Sequence, residues 1–124
     1  MTNEPLEPRP RITAGRGLRV SASGTDGQHV LALAGELDID SVVNLQSALQ
    51  PLWASATSLT FDLAELQFID SSGLWELCTI HRWCTRQAIA LALTNATEPV
   101  QRIFEVTGLS DILPFSAAAS PELR

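Results

Sequence analysis

The chain has 124 residues, the size of one compact domain with a single core. An apolar content of 45% with 18% charged residues is a globular balance that excludes wholesale disorder and an extended coiled coil. Eight Lys and Arg against fourteen Asp and Glu leave a net charge of −6, which argues against unspecific attraction to nucleic acid or an anionic membrane surface and favours a basic partner surface.

Met1 to about Gly15 carry Pro5, Pro8 and Pro10 among charged residues, the composition of an extended tail. This opening lacks the apolar segment of a signal peptide, and no apolar run approaches the roughly 18 residues of a membrane span. The expectation is a cytoplasmic protein with no membrane insertion, a tail over 1–15, one domain over 16–115 and a loose end over 116–124.

Leu18-x-Val20 alternates into Gly24-Thr-Asp-Gly27, and the run His29-Val-Leu-Ala-Leu-Ala-Gly35 follows. The pattern predicts a hairpin with a loop of about four residues, its second strand apolar on both faces and therefore covered by helices. Asp38 to Ser41 are N-cap types, and Val42, Leu45, Leu49 and Leu52 line one face of a first helix that runs to about Ala54. Ser58 to Leu63 reads as a strand, and Gln67-Phe-Ile69 leads by a short loop to Asp70-Ser-Ser-Gly73, where a second helix starts. Its expected core stripe is Leu74, Leu77, Cys78, His81 and Cys84.

Ala88 to Leu93 is another continuous apolar strand. Thr97 offers an N-cap to a third helix, with Pro99 in its first turn, Val100, Ile103 and Phe104 on one face, and Gly108 just past its end. Leu109 to Phe115 is a short turn or edge segment. Strand–helix–strand order implies crossover connections and an α/β fold: an open mixed, largely parallel sheet packed with helices.

Little in the chain points to catalysis. Cys78 and Cys84, six residues apart, project about 240° apart on a helix and do not form a ready disulfide. With His29 and His81 they show no metal-ligand spacing, and Asp62, Glu65 and Asp70 have no spacing typical of a metal site or an acid–base pair. His81 lies on an apolar stripe and reads as a core or boundary residue. No Gly-x-x-x-x-Gly-Lys loop, dinucleotide fingerprint or Gly-x-Ser-x-Gly elbow is present, so neither an enzyme nor a bound cofactor is expected.

The informative stretch is Asp70-Ser71-Ser72-Gly73, where a loop enters a helix beside free N–H donors and the positive end of the dipole. Alone it fits an ordinary helix cap or a site where Ser71 gains a phosphate. Trp75 and Trp83 fall away from the apolar stripe. Ser71, Trp75, Thr79 and Arg82 follow one side of the helix as a contact surface; rim packing is the other reading for Trp75 and the favoured one for Trp83.

Gly35-Glu-Leu-Asp38, Phe68-Ile-Asp-Ser-Ser-Gly-Leu74 and Val100-x-x-Ile103-Phe-x-Val-Thr-Gly-Leu109 together resemble the STAS domain family over about Leu18 to Phe115, and within it the single-domain anti-sigma factor antagonists of bacteria. The resemblance implies a switch. The unphosphorylated antagonist binds an anti-sigma factor serine-protein kinase and frees a sigma factor, phosphorylation releases it, and a phosphatase resets it. It further implies Ser71 as phosphoacceptor, with Ser72 the alternative. Asp38 and Asp70 match acidic positions flanking the site, and Asp38, Asp70, Ser72, Gly73, Trp75, Thr79 and Arg82 are the candidate partner-binding residues. The alternative reading is a binding subunit of a lipid transporter or other nucleotide-responsive complex.

Overall fold

The computed structural model describes residues 11–14 as backbone and 17–116 in full; the rest of the expected tail and loose end lies outside the described residues. Among the described residues, five strands form one sheet in chain order: β1 (Arg11–Ala14), β2 (Leu18–Thr25), β3 (Gln28–Leu37), β4 (Ser58–Ile69) and β5 (Ala90–Thr94). The pairs β1–β2 and β2–β3 are antiparallel, and β3–β4 and β4–β5 are parallel. Among the described residues, the helices α1 (Val42–Leu49), α2 (Ser71–Gln87) and α3 (Glu98–Val106) connect or follow the parallel strands.

β1 corrects the boundary expected for the tail. Ile12 and Thr13 stand opposite Ser21 and Val20, satisfying backbone groups that β2 would otherwise leave open as an edge. Two consecutive β-branched residues suit that position, and the prolines that dominate the composition, at 5, 8 and 10, all lie upstream of it.

The β2–β3 connection is tighter than the sequence suggests. Thr25 pairs with Gln28, leaving a two-residue turn in which Asp26 and Gly27 have φ of 57° and 82°. Positive φ at both central residues is the requirement of a type I′ hairpin turn, and Asp-Gly is a preferred pair for it.

The strand expected over 58–63 continues through Gln67-Phe-Ile69 as one twelve-residue strand. Its pairing with β3 shifts register between Ala32 and Ala34, which oppose Asp62 and Glu65. A second shift follows between Gly35 and Glu36, which oppose Leu66 and Phe68; each absorbs one extra residue of β4, and together they return Leu66 and Ile69 to the buried face, as bulges do when they re-aim a strand.

The parallel steps from β3 to β4 to β5 all advance across the sheet in one direction, so crossovers of a single hand place their helices on a single face. Leu45 and Leu49 of α1, Leu77, Ile80 and Cys84 of α2, and Val100 and Phe104 of α3 accordingly join one core with Leu31, Leu33, Leu59, Phe61 and Leu93. The opposite face carries Arg19, Ser21, Val30, Ala32, Ala34, Thr60, Asp62 and Ala92, none of them buried. This corrects the expectation that β3 is covered on both sides. Alanine reads as apolar in a sequence pattern, yet on a sheet it is small enough to remain half-exposed at little cost.

Three helical details differ from the sequence reading. α1 gives way to a 3₁₀ turn over Gln50–Leu52, because Pro51 has no N–H to continue the ladder. The core of α2 is Gly73, Leu77, Ile80 and Cys84, so Ile80 takes the place expected of His81, while Leu74 and Cys78 flank the stripe half-buried. β5 starts at Ala90 because Ala88, left-handed at φ 59° and ψ 36°, ends α2 first. After α3, Phe115 returns beside Leu93 in a parallel bridge and packs edge-on against Phe104 at 4.8 Å.

Candidate functional site

The carboxyl ends of β3 and β4 place two polar segments side by side. After β3, Asp38 folds the chain onto itself: its Oδ1 accepts from Asp40 N–H and Ser41 N–H, each at 3.1 Å. The Ser41 side chain is fully buried; its hydroxyl donates to the Glu36 carbonyl at 2.7 Å and accepts from Asp38 N–H at 2.9 Å. A loop tied by its own side chains presents its outward residue rigidly, and that residue is Ile39, 69% exposed.

After β4, Asp70 is the N-cap of α2, with extended backbone, and its Oδ1 accepts from Gly73 N–H at 3.0 Å. Its Oδ2 accepts from Ile39 N–H at 3.3 Å, while Asp70 N–H donates to the Leu37 carbonyl at 3.2 Å. One side chain therefore caps the helix and fastens it to the loop after β3. Gly73 permits the approach, since a Cβ there would stand 2.5 Å from the Leu37 carbonyl oxygen and 2.7 Å from Ile69 Cγ1.

This scaffold displays Ser71 at the first position of α2, exposed, with Ser72 behind it half-buried. Ile39, Val42, Ser71, Ser72, Trp75 and Glu76 line a groove of about 400 Å³ between α1 and α2. Trp75 is 66% exposed and Val43 54%. The Arg82 guanidinium lies 5.5 Å from the Trp75 ring centroid, a cation–π distance, and Glu76 accepts from Gln46 Nε2 at 3.0 Å, linking the two helices.

The structure thus brings Ser71, Ser72, Trp75 and Arg82 to one surface. Of the other expected contact residues, Gly73 is buried and the Thr79 hydroxyl is buried without a partner among the described residues, while half-buried Asp38 uses Oδ1 on its own loop. Helical spacing placed Thr79 beside Trp75, but packing on that flank covers it. Ile39, Val42 and Val43 were not foreseen as part of this surface. Ile39, an isolated apolar residue between two aspartates, is the sequence signal that marks it. Trp83 packs edge-on against Trp53 at 6.2 Å, the rim packing expected of it.

No group of three or more His, Cys, Asp or Glu among the described residues is arranged to hold a metal ion. Burial pushes the Cys84 thiol up to about 11, away from the range of a reactive thiolate. No helix among the described residues is long and apolar enough to cross a membrane.

Comparison with known proteins places this arrangement among relatives. Residues 20–114 match a family model described as "Mlab, STAS domain". The anti-sigma-B factor antagonist of Bacillus subtilis (strain 168) is 34% identical over 85 residues, 68% of this chain and 78% of that protein. That of Listeria monocytogenes is 30% identical over 90 residues, 71% of this chain and 79% of that protein. In fold, the unphosphorylated anti-sigma factor antagonist SpoIIAA superposes with a TM-score of 0.68 at 22% identity, covering 82% of this chain and 91% of that one. An anti-sigma factor antagonist from Mycobacterium paratuberculosis gives a TM-score of 0.71 at 24% identity, covering 83% and 88%.

Proposed function

The chain belongs to the STAS domain family, and from that premise we propose that it is an anti-sigma factor antagonist switched by phosphorylation of Ser71. Unphosphorylated, it occupies a serine-protein kinase that doubles as an anti-sigma factor, so that the sigma factor is free to direct transcription. The kinase transfers the γ-phosphoryl group of ATP to Ser71 Oγ. The new bond is Oγ–P, the bond to the ADP leaving group breaks, and the hydroxyl proton is lost. The modified chain dissociates, and a phosphatase returns it to the serine form. The chain itself performs no catalysis.

The observation that carries this reading is the placement of one exposed hydroxyl at the first position of α2, on a helix end held by Asp70. A phosphate there adds nearly two negative charges and three acceptor oxygens without breaking the hydrogen-bond ladder of the helix. Ser72, half-buried, is less open to a kinase, which favours Ser71 over its neighbour.

The test is incubation with an anti-sigma factor kinase and ATP, followed by peptide mass spectrometry. The expected product carries one phosphate on Ser71; Ser71→Ala takes none and still binds the kinase, and Ser71→Asp binds more weakly. A chain modified elsewhere, or three forms of equal affinity, would remove Ser71 as the switch.

A further inference from the structure

The three helices pack on one face of the sheet, and the other face is open. Strand register sorts the open face into rows that run across β2, β3 and β4. Arg19, Ala34 and Glu65 form one row, Ser21, Ala32 and Asp62 the next, and Ser23, Val30 and Thr60 a third. The first row is polarised about β3, with a cation on the β2 side and a carboxylate on the β4 side. Both charged residues are exposed, and with Ala34 between them they line a groove of about 350 Å³.

We propose that this open face is an interface between two copies of the chain, related by a two-fold axis that runs along β3. Rotation about that axis exchanges the β2 side with the β4 side. Arg19 of each copy then faces Glu65 of the other, and one self-complementary contact makes two ion pairs. In the next row the Ser21 hydroxyl faces Asp62. The Asp62 Oδ1 accepts from Ala64 N–H and Asn95 Nδ2, and Oδ2 serves as the acceptor for Ser21.

Val30, Ala32 and Ala34 stand on the axis, each against its own copy. Val30 is 40% exposed and gains an apolar neighbour there, and the two alanines let the sheets approach to the roughly 10 Å of packed sheets or closer. The twist of the sheet is no obstacle. A two-fold along a strand carries a twisted surface onto one of the same twist, so the gap between the copies stays even. Glu36, one row beyond Ala34, leans off the axis toward its own β2 side: its Oε1 lies 3.8 Å from the place a Cβ on Gly17 would take.

The face of β2 to β5 measures roughly 20 Å by 20 Å, so the pair buries on the order of 1,000 Å², the lower bound for a specific interface. The dimer is therefore weak, and a net charge of −6 on each copy opposes it at long range. Charge matching at Arg19 and Glu65 decides whether it forms. Because α2 lies on the far side of the sheet, Ser71 stays open in the pair.

The experiment is sedimentation equilibrium on the full chain at about 0.15 M salt, where the long-range repulsion is largely screened. The mass is expected to rise from one chain toward two between micromolar and millimolar concentrations. Arg19→Glu alone sets two carboxylates against each other at both pairs, Glu65→Arg alone sets two cations, and each weakens self-association by at least about tenfold. Mixed in equal amounts, the two variants complement each other at both pairs and associate within about threefold of the parent.

A chain that stays single up to about 1 mM, as it does if a different macromolecule covers this face, overturns the inference. A dimer that neither variant weakens, or a mixture no tighter than either variant alone, overturns it as well.

Discussion

Gly73 and Leu37 meet backbone to backbone: a methyl group on the Gly73 Cα would stand 2.5 Å from the Leu37 carbonyl oxygen. The amino end of α2 is therefore seated directly on the end of β3, and the distance between Ser71 and the Ile39 loop follows from that seat. A glycine inside a helix ordinarily costs about 1 kcal/mol against alanine. Here the sign reverses, because the obstructing atom is backbone and cannot swing aside. Gly73→Ala is expected to lower stability by about 1–3 kcal/mol, the range of overpacked sites, as a fall in the urea midpoint at unchanged slope. A gain in stability would show that the two segments are not in contact.

Asp70 joins the same two segments from the side-chain direction. Replacing an N-cap aspartate by alanine typically costs about 1 kcal/mol, and this one also loses its bond to Ile39 N–H. Asp70→Ala should therefore lose about 1–2 kcal/mol, with faster amide exchange at both Gly73 and Ile39. Asp70→Asn keeps an acceptor for the cap and should lose less. Exchange that quickens at Gly73 alone would mean that the loop after β3 holds its position without help.

Ala88 ends α2 in the left-handed region, φ 59° and ψ 36°, while Ile89 N–H reaches back to the Cys84 carbonyl at 2.8 Å. A residue with a Cβ pays about 1 kcal/mol there, which glycine avoids. Ala88→Gly should raise stability by about that amount in chemical denaturation. It should leave Ser71 phosphorylation untouched, since the substitution sits at the far end of α2.

Cys84 is buried in the core and its thiol is pushed from 9.0 up to about 11 by desolvation. In the unfolded chain it ionises first, so between about pH 9 and pH 11 the unfolded state binds fewer protons than the native state and stability falls as pH rises. Below pH 9 the contribution is fully present. Cys84→Ala should remove this slope while costing core packing. A thiol-disulfide reagent at neutral pH should label the half-buried Cys78 well before Cys84; equal rates would mean that the base of α2 opens readily.

Local chemistry was enough to read much of this protein. The spacing of Val100 and Phe104, the cap at Thr97 and the Asp-Ser-Ser-Gly run at a helix start are patterns within a few residues, and helix periodicity and capping depend on nothing more distant. Where the sequence misled, spacing along the chain did not reveal which neighbours a residue meets: Ile80 rather than His81 lies in the core, Ala32 and Ala34 lie on an open face, and Thr79 is covered although its spacing matched Trp75.

The sequence by itself determined that a pair of hydroxyls, Ser71 and Ser72, stands at the amino end of a helix and that α and β elements alternate around one core, because each rests on interactions between residues close along the chain. Only the tertiary structure decided what surrounds those hydroxyls. Asp70 and Ile39 lie 31 residues apart, and it takes the parallel pairing of β3 with β4 to bring the loop, the cap and the groove between α1 and α2 to one place, since a parallel pair puts the ends of both strands on the same side of the sheet.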